Sequence, residues 1–245
     1  MMSGFWTIWR RELQAFGSSP MAYLFLALFV MMNGIMTFIL GDFFDQGQAD
    51  LKGMFAVMPF LFLFFVPALG MRSWAEERQT GSVELLLTLP IGPEAAVLGK
   101  FCAGLSLAWL GLILTLPAWI TVTWLGQPDH GLILSGYLAA FLLAASMMAI
   151  TTTISALNRS QVLAFIISAT CCFLFLVTGL GAVSEFLGAN LPPQFALALW
   201  EYSSLARYNR MVEGLISLPD LFYFLLLTLV WLWAGMICVR RWLEE

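Results

Sequence analysis

Charge is what this sequence has least of. Lys, Arg, Asp and Glu make up 11% of its 245 residues, against 61% hydrophobic residues and a mean hydropathy of +0.89. A soluble core of this length cannot hide that much apolar surface, whereas a bilayer takes it up, so soluble domain classes are excluded. The formal charge of −4 is small and dispersed, and no basic stripe for nucleic acid is present. Histidine is nearly missing: His130 stands alone, in a short turn. A zinc protease needs HExxH, an intramembrane serine protease needs a Ser/His pair at depth, and a haem subunit needs axial ligands within its spans. One turn histidine builds none of these, and His130 reads as a solvated turn residue. The four cysteines, Cys102, Cys171, Cys172 and Cys238, lie in apolar runs without metal-ligand spacing and read as small core residues. Sequence repeats, low-complexity tracts and a cleavable signal peptide are also absent from the pattern: the first apolar run is too long and lacks a small-residue cleavage site.

What is present is a series of long apolar runs. Six spans are expected, at about 20–40, 54–71, 100–125, 132–157, 161–183 and 219–239, each near the roughly 20 apolar residues that a bilayer core requires of a helix. The fold class is therefore an all-α integral membrane protein with six transmembrane helices. Ahead of them, residues 3–17 place Trp6, Trp9, Leu13 and Phe16 at helical spacing opposite Arg10, Arg11, Glu12 and Gln14, the pattern of an amphipathic helix in the membrane interface. Pro59 and Pro67 should kink the second span, leaving carbonyls that neighbouring helices must satisfy, and Pro117 should bend the third. The fourth carries small residues four apart, Gly136, Ala140 and Ala144, then Thr152 and Ala156, which permit close helix approach, more readily within the chain than between subunits. Hydroxyls of Thr151, Thr152 and Thr153 are expected to bond back to the preceding turn.

No Asp, Glu, Lys or Arg is expected to be buried within the spans, the usual mark of a proton- or ion-coupled carrier. Any energy for transport is then expected from elsewhere. Orientation follows from the cations: with the N-terminus inside, Arg10, Arg11, Arg72, Arg78, Lys100, Arg159, Arg240 and Arg241 lie inside, and only Lys52, Arg207 and Arg210 outside. Both termini are expected in the cytoplasm. The outer connections are a short acidic loop, the turn GQPDHG, and an apolar stretch of about 184–218 whose Pro192-Pro193 should break it into two short helices on the outer leaflet.

Charge concentrates between the second and third spans, where Arg72, Glu76, Glu77, Arg78, Glu84, Glu94 and Lys100 all fall. Ser73-Trp-Ala-Glu76 has the form of a capping box, which predicts a short helix over 74–79 stopped near Gly81. A second short turn over 82–89 should end at Pro90, and Pro93 suits the first residue of a new helix with Glu94 in its first turn. Gly92 to Lys100 imitates a phosphate loop, but six residues separate the glycines, Phe101 stands where Ser or Thr is required, and no strand precedes it. ATP binding by that motif is excluded.

Within Met54–Lys100, the string MPFLFLFFVPALGMRSWAEERQTGSVELLLTLPIGPEAAVLGK resembles the permease subunits of ABC-2 type exporters, particularly the branch of gliding-motility and nitrous-oxide-reductase-maturation permeases. Its MP, FVPAL-x-MR, WAEE, G-S-x-E, LLTLP and VLGKF elements match that branch nearly throughout. A weaker likeness runs from Ser203 to Phe224 through EGLISLPDLFYF, and the resemblance covers essentially the whole chain, 1–245. Two departures stand out: Gly70 where Thr is common, and no histidine-aromatic pair within Leu205–Arg210. The resemblance implies an inner-membrane exporter permease that pairs with a second copy or a related permease and, through a cytoplasmic coupling helix within 72–99, docks a separate ATP-binding-cassette ATPase subunit. Arg72, Glu76, Glu77, Arg78, Gly81 and Glu84 carry over as transmission residues. It further implies that this chain is no enzyme and holds no cofactor, ATP and Mg being on the partner. Its other contacts would be membrane lipid. The cargo is not specified by the resemblance. The alternative is a non-transporting membrane scaffold or assembly factor driven by a partner ATPase.

Overall fold

The computed structural model describes residues 2–40, 50–82, 92–180, 183 and 200–242. Among these no strand occurs. Helix α1 (Met2–Ser18) precedes α2 (Pro20–Ile35), which ends in one π-helical turn, Met36–Leu40. Then come α3 (Lys52–Gly70), α4 (Arg72–Thr80), α5 (Pro93–Ile113), α6 (Leu116–Leu125), α7 (His130–Leu157), α8 (Gln161–Val177), α9 (Ser204–Val212) and α10 (Leu218–Arg241). Five helical runs, Pro20–Phe38, Lys52–Thr80, Pro93–Leu125, His130–Leu157 and Leu218–Arg241, are long and apolar enough to cross a membrane. The apolar α8, with 17 residues, takes the place of the expected fifth span. Residues 41–49, 83–91 and 184–199, with Glu84, Pro90 and Pro192-Pro193, lie outside the described residues.

Local chemistry explains most of these boundaries. Pro93 opens α5 from an extended Gly92, with Glu94 in its first turn, so the third span starts inside the connection that composition assigned to water. Pro117 divides that span: the chain turns at Leu114–Thr115 and resumes as α6, while the Thr115 hydroxyl donates to the Leu112 carbonyl at 2.7 Å. Gly81 ends α4 at φ +74°, a left-handed conformation that favours glycine. Asp129 caps α7 by accepting from Gly131 N (2.8 Å) and Leu132 N (3.3 Å).

Helix α7 is the axis of the bundle. Its apolar window is 78% buried, against 28% for the first span and 22% for the last. Small side chains make this possible: Ala139, Ala140, Ala144, Ala149 and Ala156 are fully enclosed, and Gly136 lies under the Phe55 ring, where a Cβ would sit 2.6 Å from Cε2. The small-residue stripe thus serves packing within the chain. Thr151 and Thr152 bond back to Met147 O and Met148 O as expected, but Thr153 departs from that pattern and donates across to Trp231 O of α10 at 2.7 Å. Pro59, which cannot donate to the carbonyl of Phe55 four residues earlier, leaves that oxygen for the buried Tyr208 hydroxyl of α9, at 2.7 Å. Helix α1 packs along α5: Ile8 is 1% exposed and meets Gly99, and the Trp9 indole donates to Ser106 Oγ at 3.3 Å. Its Trp6 remains half exposed, at 52%.

The departure at Gly70 has a packing reason. A Cβ there would lie 2.6 Å from Thr151 Cγ2 and 3.0 Å from its Cβ. Gly70→Ala is therefore expected to cost about 1–3 kcal/mol through overpacking. Adding Thr151→Ala, which deletes the nearer atom, should recover much of it. Thermal unfolding of the two variants and their combination in detergent checks this coupling, and additive losses would refute the contact.

Candidate functional site

Helix α4 leaves the membrane bundle as a continuation of α3, with the chain turning at Met71 while that residue stays helical (φ −57°, ψ −31°). The expected Ser73 cap does not form, because Ser73 lies inside the helix and is buried. Its place is taken by a residue from another helix. The Ser155 hydroxyl of α7 accepts from Trp74 N and Ala75 N, both at 3.1 Å, and donates to Met71 O at 2.8 Å. One side chain near the end of the central helix thus satisfies the first turn of α4 and the bend before it. Ser155→Ala would leave the buried Trp74 N–H, in the unpaired first turn of α4, without its acceptor. At about 1–3 kcal/mol for such a group, it should destabilise the α4 junction selectively, seen as faster amide exchange at 72–76 with exchange in α10 unchanged.

The charges of α4 turn largely inward. Arg72 pairs with Glu76 at 2.8 Å and donates to Ser19 Oγ at 2.7 Å, tying α4 to the start of α2. Arg78 donates to Ala156 O at 2.6 Å, its guanidinium 4.7 Å from the Trp242 ring, and Trp242 meets Trp74 edge-on at 5.5 Å. Glu77 belongs to a four-residue cluster centred on Lys100. The Lys100 side chain is 1% exposed, its Nζ 2.9 Å from Glu12 Oε1, 3.1 Å from Glu77 Oε1 and 2.7 Å from Ser73 O. The ammonium also lies 4.9 Å from the Trp74 ring centroid. Arg11 bridges the two carboxylates, 2.8 Å from Glu12 and in direct contact with Glu77. Two cations and two anions from α1, α4 and α5 thus close on one another. Burial works against the Glu12 carboxylate, but Lys100 and Arg11 outweigh it and hold its pKa below the ordinary 4.5. Glu77 Oε2 is buried without a hydrogen-bond partner among the described residues, which makes the cluster sensitive to losing a cation.

A second ionic cluster forms at the other end of the bundle. Asp220, 1% exposed in the first turn of α10, accepts from Arg207 Nη1 (2.8 Å), Arg210 Nη2 (2.5 Å) and Ser217 Oγ (2.6 Å). Arg207 also donates to Glu201 O at 2.8 Å and stands 4.7 Å from the Tyr223 ring. The expectation of spans free of buried charge fails at these two places. Lys100 and Asp220 each lie at one end of a span helix, where partners from flanking polar segments reach them and offset the desolvation.

Of the residues singled out from the sequence, the structure brings Arg72, Glu76, Glu77 and Arg78 onto one short helix ended by Gly81. Gln79, Thr80 and Gly81 form the exposed end of that helix, while Glu84 falls outside the described residues. Sequence reasoning missed Arg11, Glu12, Lys100 and Ser155 as parts of the site. The available signal was Lys100 itself, a lone cation directly followed by an apolar run. The phosphate-loop imitation dissolves as well: Gly92 precedes a helix, Gly99 accommodates Ile8, and Lys100 is held by two carboxylates. His130 opens α7 and is exposed, its Nδ1 accepting from the Trp119 indole at 3.1 Å. All four cysteines are free thiols. No curated protein matches the chain. Residues 6–238 match the family described as ABC-2 family transporter protein, and with nearly its whole length covered, this multi-pass membrane permease belongs to the ABC-2 transporter family.

Proposed function

We propose that the chain is the membrane-spanning subunit of an ATP-binding-cassette exporter that draws its energy from ATP and Mg on a separately encoded ATPase subunit, and that α4 is the element receiving the motion. The observation that carries this reading is the wiring of α4. Its backbone is held by Ser155 of α7, Glu77 by Lys100 of α5 and Arg11 of α1, and Arg78 by Ala156 and Trp242. A displacement applied at the exposed Gln79–Gly81 end therefore reaches four membrane-associated helices at once, as rigid-body coupling requires. Arg72, Glu77 and Arg78 act in this proposal as internal links. Gly81 sets the end of the helix, and Glu76 (43% exposed) with Gln79 and Thr80 offers surface to the ATPase. Glu84 is assigned to the same docking surface on the family resemblance. The permease works as a pair, with an identical or related subunit, in the inner membrane with both termini cytoplasmic. Eight of the eleven cations on one side support that orientation.

Affinity purification of the chain from its native membrane in mild detergent, followed by mass spectrometry, is expected to recover an ATP-binding-cassette subunit at about two copies per two permeases. Gln79→Arg should lower that recovery while the spans stay folded. A crosslinked preparation with no nucleotide-binding protein would overturn the proposed energy source.

A further inference from the structure

A groove of about 510 Å³ runs between α7 and α10 and ends at α4. Its two ends differ in chemistry. At the end nearest α4 stand Arg78, Arg241 and Trp242, and at the other Trp231 and Trp233, with Leu157 on the flank. Trp231 and Arg241 are ten positions apart on one helix, about 15 Å at the α-helical rise. That is half of a hydrocarbon core about 30 Å thick, hence the depth of one leaflet. Trp233 is 65% exposed and Leu157 61%, so the groove opens sideways, toward lipid.

Charge selects the occupant. Among the described residues no carboxylate lines the groove, and neither Arg78 nor Arg241 has an ion-pair partner. The adjacent Arg240, outside the groove, is neutralised by Glu94. Two guanidiniums without a counter-charge among the described residues, at the mouth of an apolar trough, suit a phosphate diester, which arginine binds through paired N–H groups, with the Trp242 indole at headgroup depth. The larger groove of about 570 Å³ between α2, α3 and α8 has no charged residue among its described lining and offers nothing there for a headgroup.

We propose that the α7/α10 groove binds an anionic glycerophospholipid of the adjoining leaflet, its phosphate on Arg78 and Arg241 and one acyl chain along Ile237, Ala234 and Trp233. The lipid fills the trough beside Arg78 and so supports the last turn of α4, at the opposite end from the first turn that Ser155 holds.

Native mass spectrometry of the purified full chain in an uncharged detergent, with phosphatidylglycerol or phosphatidylcholine added, tests this. Phosphatidylglycerol should be retained preferentially, and Arg241→Gln should weaken its retention about fivefold, the effect of one basic residue at a membrane surface. Arg240→Gln, which changes the same net charge outside the groove, should leave it unchanged. Equal retention of the two lipids, or equal losses in the Arg241 and Arg240 variants, would overturn the proposal. So would a large gain in lipid retention on Glu244→Gln with Glu245→Gln, since the chain's own acidic end would then be the occupant.

Discussion

Lys100→Met is expected to lower thermal stability in detergent by roughly 10 °C and to abolish stimulation of the partner ATPase by the permease. Methionine keeps the length and the apolar stem but removes the charge on which Glu12 and Glu77 converge at 2.9 and 3.1 Å. Removing one partner of a buried ion pair costs about 3–5 kcal/mol, because the other charge stays buried without compensation. For a domain of this size each kcal/mol moves the midpoint by about 2–4 °C. Arg11 alone cannot neutralise both carboxylates. Helix α1 should therefore separate from α4, which a spin-label distance between Gln14 and Gln79 would report without any need for the ATPase. The triple variant with Glu12→Gln and Glu77→Gln removes the orphaned charges and should regain most of the stability but not the coupling. Unchanged coupling in Lys100→Met, with α1 detached, would show that force reaches the spans by another route. The pH response supplies an independent sign. In the wild type the Glu12 pKa is depressed below 4.5, so its contribution is complete above 4.5 and is lost as pH falls through the lower folded value. In Lys100→Met the main lowering partner is gone and burial dominates. Mild acid should then stabilise the variant by protonating Glu12, the reverse of the wild type.

Asp220→Asn is expected to be the most damaging change at the opposite end of the bundle, at about 3 kcal/mol or more. Asparagine preserves the shape but leaves two guanidiniums without a counter-charge, and its amide can place an N–H where Arg210 or Ser217 now donates. The arginines should rank by burial. Arg207 (side chain 14% exposed), which also holds Glu201 O and stacks on Tyr223, should cost more on replacement by glutamine than Arg210 (35% exposed). Loosening this cluster frees α9, and Tyr208 with it, so the Phe55 carbonyl that Pro59 leaves open would lose its donor. Hydrogen exchange should therefore rise in α9 and around Phe55 while α4 stays protected. If Arg210→Gln proves worse than Asp220→Asn, the aspartate is not the organiser of the cluster.

These two clusters explain how the fold can be tied at both ends while its middle stays apolar. Through the bilayer core the helices meet by close packing of alanine, glycine and aromatic rings around α7. The two buried ionic clusters form where the flanking segments α1, α4 and α9 bring polar partners to span helices. Lys100 and Asp220 escape the usual cost of charge near a membrane because each has at least two polar partners within 3.1 Å.

Elements whose signals are local or cumulative were legible from the residues alone. Long apolar runs marked the span helices, Gly81 ended α4, Pro93 began α5 and Pro117 broke the third span, and the resemblance to ABC-2 permeases agrees with the family match over residues 6–238. Which groups meet was set by the packing of the folded chain. Ser155, not Ser73, caps α4 across eighty residues of chain; Lys100 collects carboxylates from two other helices; Thr153 leaves its own helix for Trp231; and Arg78 turns inward to Trp242. The reason is physical. A helix end or an apolar run is set by forces acting within a few residues, whereas a pairing between helices depends on their rotation and register, which the packing of the whole bundle around α7 establishes.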